Sequence, residues 1–334
     1  MAKKSLRSIT VLEPGPLATV QDRGRFGFRA MGVPLSGAMD FHALRVGNLL
    51  VGNSDAEAGI EITMGGFRAQ FRCAADFALS GAERASHLNG EPIAFWRAYR
   101  AQDGDLLSVG EMSSTPVFGG QLEHNSGVGT ARAGLRIYLA VSGGIDVPSV
   151  MGSRSTYLRG GFGGLGGRGL LPGDILWLGD QVWNARVKPA PAELIPRYSF
   201  YPALRAILGP QDERVQDEGK SAFFSGVYEV TPRADRMGVV LAGPRVELFG
   251  GADIISDGTC PGAVQVDGSL QPTILGADCQ TAGGYVKIAT VISADLPLVA
   301  QLAPGDRVRF EPISLWQARE IYLRNEYLIR TLLH

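Results

Sequence analysis

The chain has little cysteine, little histidine, no surplus of charge and no long apolar run. Its three cysteines, Cys73, Cys260 and Cys279, lack C-x-x-C spacing and are odd in number. That excludes a disulfide framework and fits a reducing cytoplasm. The four histidines, His42, His87, His124 and His334, are scattered, with no H-E-x-x-H run and no His/Cys metal spacing. No metal is therefore expected in this chain. With 32 basic and 33 acidic residues the formal net charge is −1. The clustered basic excess that nucleic acid or an anionic membrane demands is missing. No apolar run reaches the roughly 18 residues needed to cross a bilayer. The basic start, MAKKSLRSIT, lacks the apolar segment of a signal peptide.

What is present describes a globular, mostly β protein. Hydrophobic residues make up 45% of the 334 and charged residues 19%. Glycine, at 45 residues, is about twice its usual share, without a collagen period. Short segments with strand composition, such as Phe67 to Phe71, Leu135 to Val141 and Tyr285 to Ile292, lie between Gly, Pro and Asp turns. Gly-Asp followed by an alternating apolar stretch occurs at Gly104-Asp105, Gly173-Asp174 and Gly305-Asp306, each a turn feeding a strand. Helices are few. Ser36 is placed to cap a helix over Gly37 to Leu50, stopped by Gly52 and Asn53. Residues Asp217 to Phe224 suit a short helix. Ser314 to Leu333 suits a long one with a Ser314/Gln317 capping box and too many apolar residues for a solvated helix. The Pro/Ala-rich segment Lys188 to Pro196 is the best linker, dividing the chain into 1–190 and 191–334. A weak echo, Asp22-Arg23-Gly24-Arg25 against Asp235-Arg236-Met237-Gly238, suggests two related β units.

Three segments carry candidate chemistry. Gly160 to Gly169, GGFGGLGGRG, is not a dinucleotide loop, because a turn and a strand follow it where the fingerprint needs a helix. It reads either as a surface loop or as bare amides approaching a ligand or partner. No G-x-x-x-x-G-K-S/T occurs. In Ala140 to Thr156, Ser142 and Gly143 offer backbone amides and Arg154 a guanidinium, a combination suited to a carboxylate. Ser142 lacks the G-x-S-x-G elbow of a hydrolase nucleophile. The richest segment is Gly276 to Thr290. Asp278, Gln280, Thr281 and Tyr285 place a carboxylate, an amide, a hydroxyl and a phenol within eight positions around a Gly283-Gly284 bend. That set suits a small N–C=O ligand, since a Gln amide donates to its oxygen and accepts from its nitrogen. Cys279 has no histidine near it in sequence and is not expected to act as a nucleophile.

The order of motifs resembles the KipA family. The carriers are TVQDRGRFGFRAMGVPLSGAMD (Thr19 to Asp40), SGGIDVPSVMGSRSTYLRGGFGG (Ser142 to Gly164) and ADRMG (Ala234 to Gly238). ISDGTCPGAVQV and ADCQTAGGYVKIATVISADLPLVAQLAPGDRVRF complete the set. The resemblance runs from Leu12 to Phe310. The family includes the C subunit of bacterial 5-oxoprolinase, allophanate hydrolase subunit 2 and the carboxyltransferase domain of urea carboxylase. The resemblance implies a mainly β fold of two cyclophilin-like barrel units with a C-terminal helix, and a KipI-like partner. Departures fall in the richest segment. Thr281-Ala282-Gly283-Gly284-Tyr285-Val286 stands for the usual Thr-Thr-Gly-Gly-Tyr-Pro. Cys279 stands where Arg or Ala is common, and Gln265-Val266-Asp267 stands for Gln-Val-Pro.

Three functions follow as expectations. The first is a component of ATP-dependent 5-oxoprolinase, working with a KipI-like B subunit and a homologue of the A subunit, with ATP bound with or by these partner subunits. Arg154 would hold the carboxylate and Gln280 and Thr281 the lactam. The second is a biotin-dependent carboxyltransferase acting on urea or a similar amide, with biotin carried on another protein. Gln280, Thr281 and Tyr285 would align the acceptor nitrogen, and Asp278 or Asp22 would assist proton removal. The third is a non-catalytic regulator that binds a KipI-like protein.

Overall fold

The computed structural model describes residues 7–111, 134–180, 185 and 188–333; His124 and His334 lie outside them. The described strands fall into three sheets. The first runs in the order β11 (Ile175–Trp177), β1 (Ser8–Pro14), β4 (Phe67–Phe71), β9 (Leu106–Val109), β6 (Ser86–Leu88), β7 (Glu91–Ile93). The second runs β2 (Leu17–Gln21), β3 (Gly59–Thr63), β10 (Arg136–Val141), β5 (Ala75–Gly81), β8 (Arg97–Ala101). Both contribute to one core, in which Ile9, Phe67 and Phe71 of the first sheet meet Ile60, Phe77 and Leu139 of the second.

The third sheet begins β12 (Ala203–Leu208), β19 (Arg307–Pro312), β13 (Tyr228–Ala234), β14 (Gly238–Ala242). It continues β17 (Pro272–Leu275), β16 (Ala263–Val266), β18 (Ala282–Val291), β15 (Asp253–Gly258). Because β18 also pairs with β12, seven of these strands close into a barrel, and β15 flanks it on β18. Closure leaves the ring itself without an open edge. A second core fills it, drawn from Leu204 to Phe310. The helix α2 (Asp217–Ser225) sets Phe223 against Phe310, with ring centroids 4.2 Å apart. The mainly β expectation holds, and each of the three Gly-Asp turns feeds a strand, β9, β11 or β19.

The helices follow local chemistry, with one correction. At the long C-terminal α4 (Leu315–Leu333) the expected box forms: Gln317 N donates to Ser314 Oγ (3.3 Å) and Ser314 N to Gln317 Oε1 (3.1 Å). It packs back on the first core through Ile329, and Glu326 pairs with Arg45 of α1 (Phe41–Leu50) at 2.5 Å. Ser36 does not cap α1. Ser36 and Gly37 both have positive φ (53° and 84°) and form a turn. The cap is Asp40, whose Oδ1 accepts from Ala43 N at 2.9 Å. The expected linker is not loose either. Ala190 and Leu194 are buried in the first core, and His42 bonds the Leu194 carbonyl at 2.7 Å. A fourth helix, α3 (Leu296–Ala300), is not expected from the sequence; it is short and has proline, Pro297, at its second position.

The two cores are joined by buried polar groups. Arg236, in the β13–β14 turn, donates from Nε and Nη2 to both oxygens of Asp278 (2.8 and 3.1 Å). Its Nη1 reaches Glu61 Oε1 on β3 (2.7 Å), and Nη2 also reaches the Gly37 carbonyl (2.6 Å). Glu61 Oε2 accepts from Met39 N and from the Tyr138 hydroxyl, each at 2.8 Å. Beside it, Gln301 Oε1 accepts from Leu135 N and Arg136 N, while its amide nitrogen donates to Asp40 Oδ2 and the Arg136 carbonyl. Burial alone would raise the Glu61 carboxyl; the Arg236 and Arg136 guanidiniums and its two hydrogen bonds outweigh this and hold it below its ordinary value. Burial likewise opposes the Arg236 charge, and Glu61 and Asp278 outweigh it, so the guanidinium stays protonated.

Two predictions follow from this framework. Arg236→Met leaves Asp278 buried without its cation and Glu61 with only Arg136, at 3.6 Å, at a cost of about 3–5 kcal/mol. Urea unfolding should show the midpoint fall; an unchanged midpoint would remove the network from its organising role. The second concerns equivalent turns. Asp174 and Asp306 accept from the amides of Leu171 and Ala303, each at 2.8 Å. Arg168 holds the Asp174 carboxyl below its ordinary value, whereas burial pushes Asp306 up to about 6. A raised carboxyl favours the protonated folded form, so the penalty is absent below the unfolded value and complete above the folded one. Asp306→Asn keeps the acceptor and removes the charge. It should stabilise by roughly 1–3 kcal/mol near pH 7.5, with the gain vanishing near pH 3.5. Melting curves at both pH values decide it.

Candidate functional site

The β17–β18 connection, residues 276–281, is held on three sides. Gly276 N donates to the Met237 carbonyl (2.9 Å), Asp278 N to the Arg236 carbonyl (2.9 Å), and Ser36 N to the Ala277 carbonyl (3.0 Å). Glycine is required at 276, where a Cβ would stand 2.4 Å from the Arg236 carbonyl oxygen. Arg29 reaches across from the first half to the Thr259 carbonyl at 2.7 Å. The Thr259 hydroxyl in turn donates to the Gln280 carbonyl.

This anchoring turns the Gln280 side chain towards the barrel strand β16. Its Nε2 donates to Gln265 Oε1 at 3.0 Å. Gln265 is 4% exposed, and its own Nε2 is buried with no acceptor among the described residues. A buried amide donor left unpaired costs about 1–3 kcal/mol, which an acceptor brought to it would offset. Both glutamines line a cavity of about 460 Å³, together with Tyr285, Arg159, Arg233 and Asp235. Gly283 backs the pair: a Cβ there would stand 2.6 Å from Gln265 Nε2.

The other sequence candidates are placed as follows. Asp278 is buried and accepts at both oxygens from Arg236, the geometry of a counter-ion. Thr281 gives its carbonyl to Thr259 N (3.1 Å) and lies outside the cavity wall, as does Gly284 on β18. Asp22 gathers four donors: Gly24 N (2.8 Å), Arg154 N (2.6 Å) and the hydroxyls of Ser153 and Ser155. The Arg154 guanidinium turns to the Val147 carbonyl (3.1 Å) and towards Asp146 and Glu57. Ser142 is fully buried, with its hydroxyl within reach of Arg7 and Asp76 N, and Gly143 N donates to Asn53. Neither Arg154, Ser142 nor Gly143 reaches the cavity. Cys279 is buried; burial pushes its thiol up against the opposing pull of Arg29, so the neutral form persists.

The Gly-rich loop is curled on itself. Gly161 N donates to the Tyr157 carbonyl, Gly164 N to Arg154 and Gly167 N to Gly163. A strand, β11, follows. With its amides turned inward and no helix N-terminus behind them, this loop does not fit a triphosphate. Among the described residues no group of three His, Cys, Asp or Glu could hold a metal.

The carboxyltransferase domain model, subdomain A and B, matches residues 31–118 and 122–312. The chain belongs to that family. It is 36% identical to the 5-oxoprolinase C subunit of Escherichia coli over 93% of both chains. It is 34% identical to the 5-oxoprolinase C subunit of Haemophilus influenzae over 95% of both. The crystal structure of the K. lactis urea amidolyase superposes with a TM-score of 0.87 and 31% identity over 99% of this chain; the chain spans 20% of that larger protein. The carboxyltransferase family assignment agrees with the KipA resemblance drawn from the motifs.

Sequence reasoning passes over Gln265, Arg159 and Arg233, and takes ADRMG only as a motif. Gln265 and the Asp235–Gly238 turn lie within quoted motif runs, but their meeting needs barrel closure. Gly283→Ala should press on Gln265 Nε2 and disturb the cavity floor while leaving the barrel folded, because the Gly283 backbone suits any residue. The expected outcome is a melting temperature nearly unchanged and ligand affinity at least about tenfold weaker. Full affinity in the folded variant would detach Gln265 from the site.

Proposed function

We propose that this chain is the C subunit of a 5-oxoprolinase and binds the lactam that the complex opens to glutamate. The observation that carries the reading is the unpaired Gln265 Nε2 beside Gln280 on the cavity floor. A rotation of the Gln265 side chain brings its buried Nε2 out of the wall to the lactam oxygen, and the free Gln280 Oε1 accepts from the lactam N–H. A donor aimed at the amide oxygen grows stronger as charge develops there, which is the transition-state requirement for amide opening. The Tyr285 phenol at the cavity wall supplies a further polar contact. Asp278 and Asp22 position: one holds the β17–β18 connection through Arg236, the other holds the loop that carries Arg159. ATP is bound with or by the partner subunits, a homologue of the A subunit and a KipI-like B subunit. The two bacterial relatives named for this activity, matched along nearly their whole length, support the reading.

A second reading rests on the K. lactis urea amidolyase likeness. Urea and the ureido ring of biotin share the N–C=O unit, so the same amide pair suits a carboxyl transfer in which biotin arrives on a separate carrier. Labelled carboxyl transfer to urea would favour it.

The test is to assemble the chain with its A and B partner subunits and measure 5-oxoproline-dependent ATP hydrolysis. Gln280→Ala should lower kcat by about 10²-fold with the complex intact. A wild-type complex without 5-oxoproline stimulation rejects the oxoprolinase reading.

A further inference from the structure

Two arginines and two aspartates, Arg159, Arg233, Asp235 and Asp267, line the cavity beside the neutral Gln265 and Gln280, and Asp267 is engaged by the Ser269 amide and hydroxyl. Arg159 stands at the tip of a turn closed by Tyr157 N to the Phe162 carbonyl (2.9 Å) and by the edge-on rings of Tyr157 and Phe162. That turn is pinned from beneath by Arg25, which donates to the Val150 and Ser155 carbonyls and lies 4.9 Å from the centre of the Phe162 ring. Arg233 comes from the opposite half, on β13, where the register against β14 shifts between Val230 and Ala234. Such irregularities re-aim side chains out of a ladder. Both guanidiniums line the cavity that holds Gln265 and Gln280.

Neither guanidinium is satisfied within the described protein. Arg233 has no carboxylate within 4.0 Å among the described residues. Arg159 has only Asp235, at 4.0 Å, with the two side chains 64% and 62% exposed. An exposed pair at that distance is weak and readily exchanged for a better partner. Two arginines beside a pair of side-chain amides suit one carboxylate, which they can bind by paired N–H···O contacts. A neutral amide such as urea has no use for them.

We propose that Arg159 and Arg233 form a carboxylate clamp, so that the site selects amides bearing an acid group next to the N–C=O unit. This rests on the oxoprolinase reading and names how the site tells 5-oxoproline from a neutral amide. In 5-oxoproline the acid sits on the carbon beside the lactam nitrogen, so the two arginines take the acid while the two glutamines take the lactam. Asp235 is the internal competitor for Arg159.

Steady-state kinetics of the assembled complex and calorimetry of the chain itself test the clamp separately from the reaction. Arg159→Gln with Arg233→Gln should raise KM for 5-oxoproline at least about tenfold with little loss of kcat. The two lysine replacements should restore part of the affinity. Asp235→Asn, which keeps the acceptor of its turn, should lower KM. In calorimetry, 2-pyrrolidinone, the same lactam without its acid, should bind at least about tenfold more weakly than 5-oxoproline to the wild-type chain and equally to the double variant. Equal wild-type binding of the two lactams, or an unchanged KM in the double variant, overturns the clamp. Inorganic phosphate competing better than 5-oxoproline also overturns it, in favour of a phosphate site. A complex without turnover whose chain still binds 5-oxoproline through its acid would reject only the oxoprolinase reading.

Discussion

A buried guanidinium with two carboxylates organises this molecule. Arg236 leaves the barrel at the β13–β14 turn and ends between Glu61 of the other core and Asp278 of its own. A charge in a poorly polarisable interior must meet its partners at hydrogen-bond distance or not be there at all. That condition fixes three segments at once: strand β3, the turn at Gly37, and the connection at 276–281. Replacing such an ion group by apolar residues is often neutral for stability, so the physical gain is in register. The two cores could slide against one another if only apolar surface joined them. With Arg236, Glu61, Asp278 and the fully engaged Gln301 amide between them, one arrangement satisfies every group.

The cavity is a consequence of that arrangement. Once Asp278 is held, Gln280 two residues on is aimed at β16 and meets Gln265. The acidic residues that attract notice in the sequence, Asp22 and Asp278, are thereby consumed in structure. Asp22 has four donors around it and Asp278 a bidentate arginine. Among the residues lining the cavity, the buried polar atom left unpaired is a neutral amide donor, Gln265 Nε2. On the function proposed above, the site polarises an N–C=O group by hydrogen bonds and leaves proton transfer to other groups.

How much of this is legible in the sequence depends on range. The Ser314/Gln317 box, the Phe67–Phe71 strand and the Gly-Asp turns can be read because their determinants lie within a few residues. The start of α1 is misplaced because Ser36 has a good capping side chain in a turn with positive φ, and Asp40, four residues later, has the geometry. The segment Lys188 to Pro196 has linker composition, yet Ala190 and Leu194 find a hydrophobic core to fill. The Gln280 segment can be nominated from its composition. Its partner Gln265 lies 15 residues away on another strand, and Arg236 meets Glu61 across 175 residues of sequence. Neither meeting has a local signal, since each is made by closure of the barrel and docking of the two cores.

Arg233 and Arg236 show how one hairpin supplies two kinds of charge. They lie three residues apart, on either side of Asp235, whose Oδ1 accepts from Met237 N at 2.7 Å and so tightens the turn. On one side the chain runs inward, and Arg236 is 6% exposed with all three guanidinium nitrogens hydrogen-bonded. On the other the strand register breaks, and Arg233 faces solvent at the cavity with no carboxylate beside it among the described residues. The buried arginine cannot exchange partners without exposing Glu61 and Asp278, so it can serve only as scaffold. At the exposed one, a ligand anion meets no competing bond from a described carboxylate. The same residue type is thus divided between architecture and recognition by the backbone between them, and the turn that locks the two cores together also sets the charge at the mouth of the site.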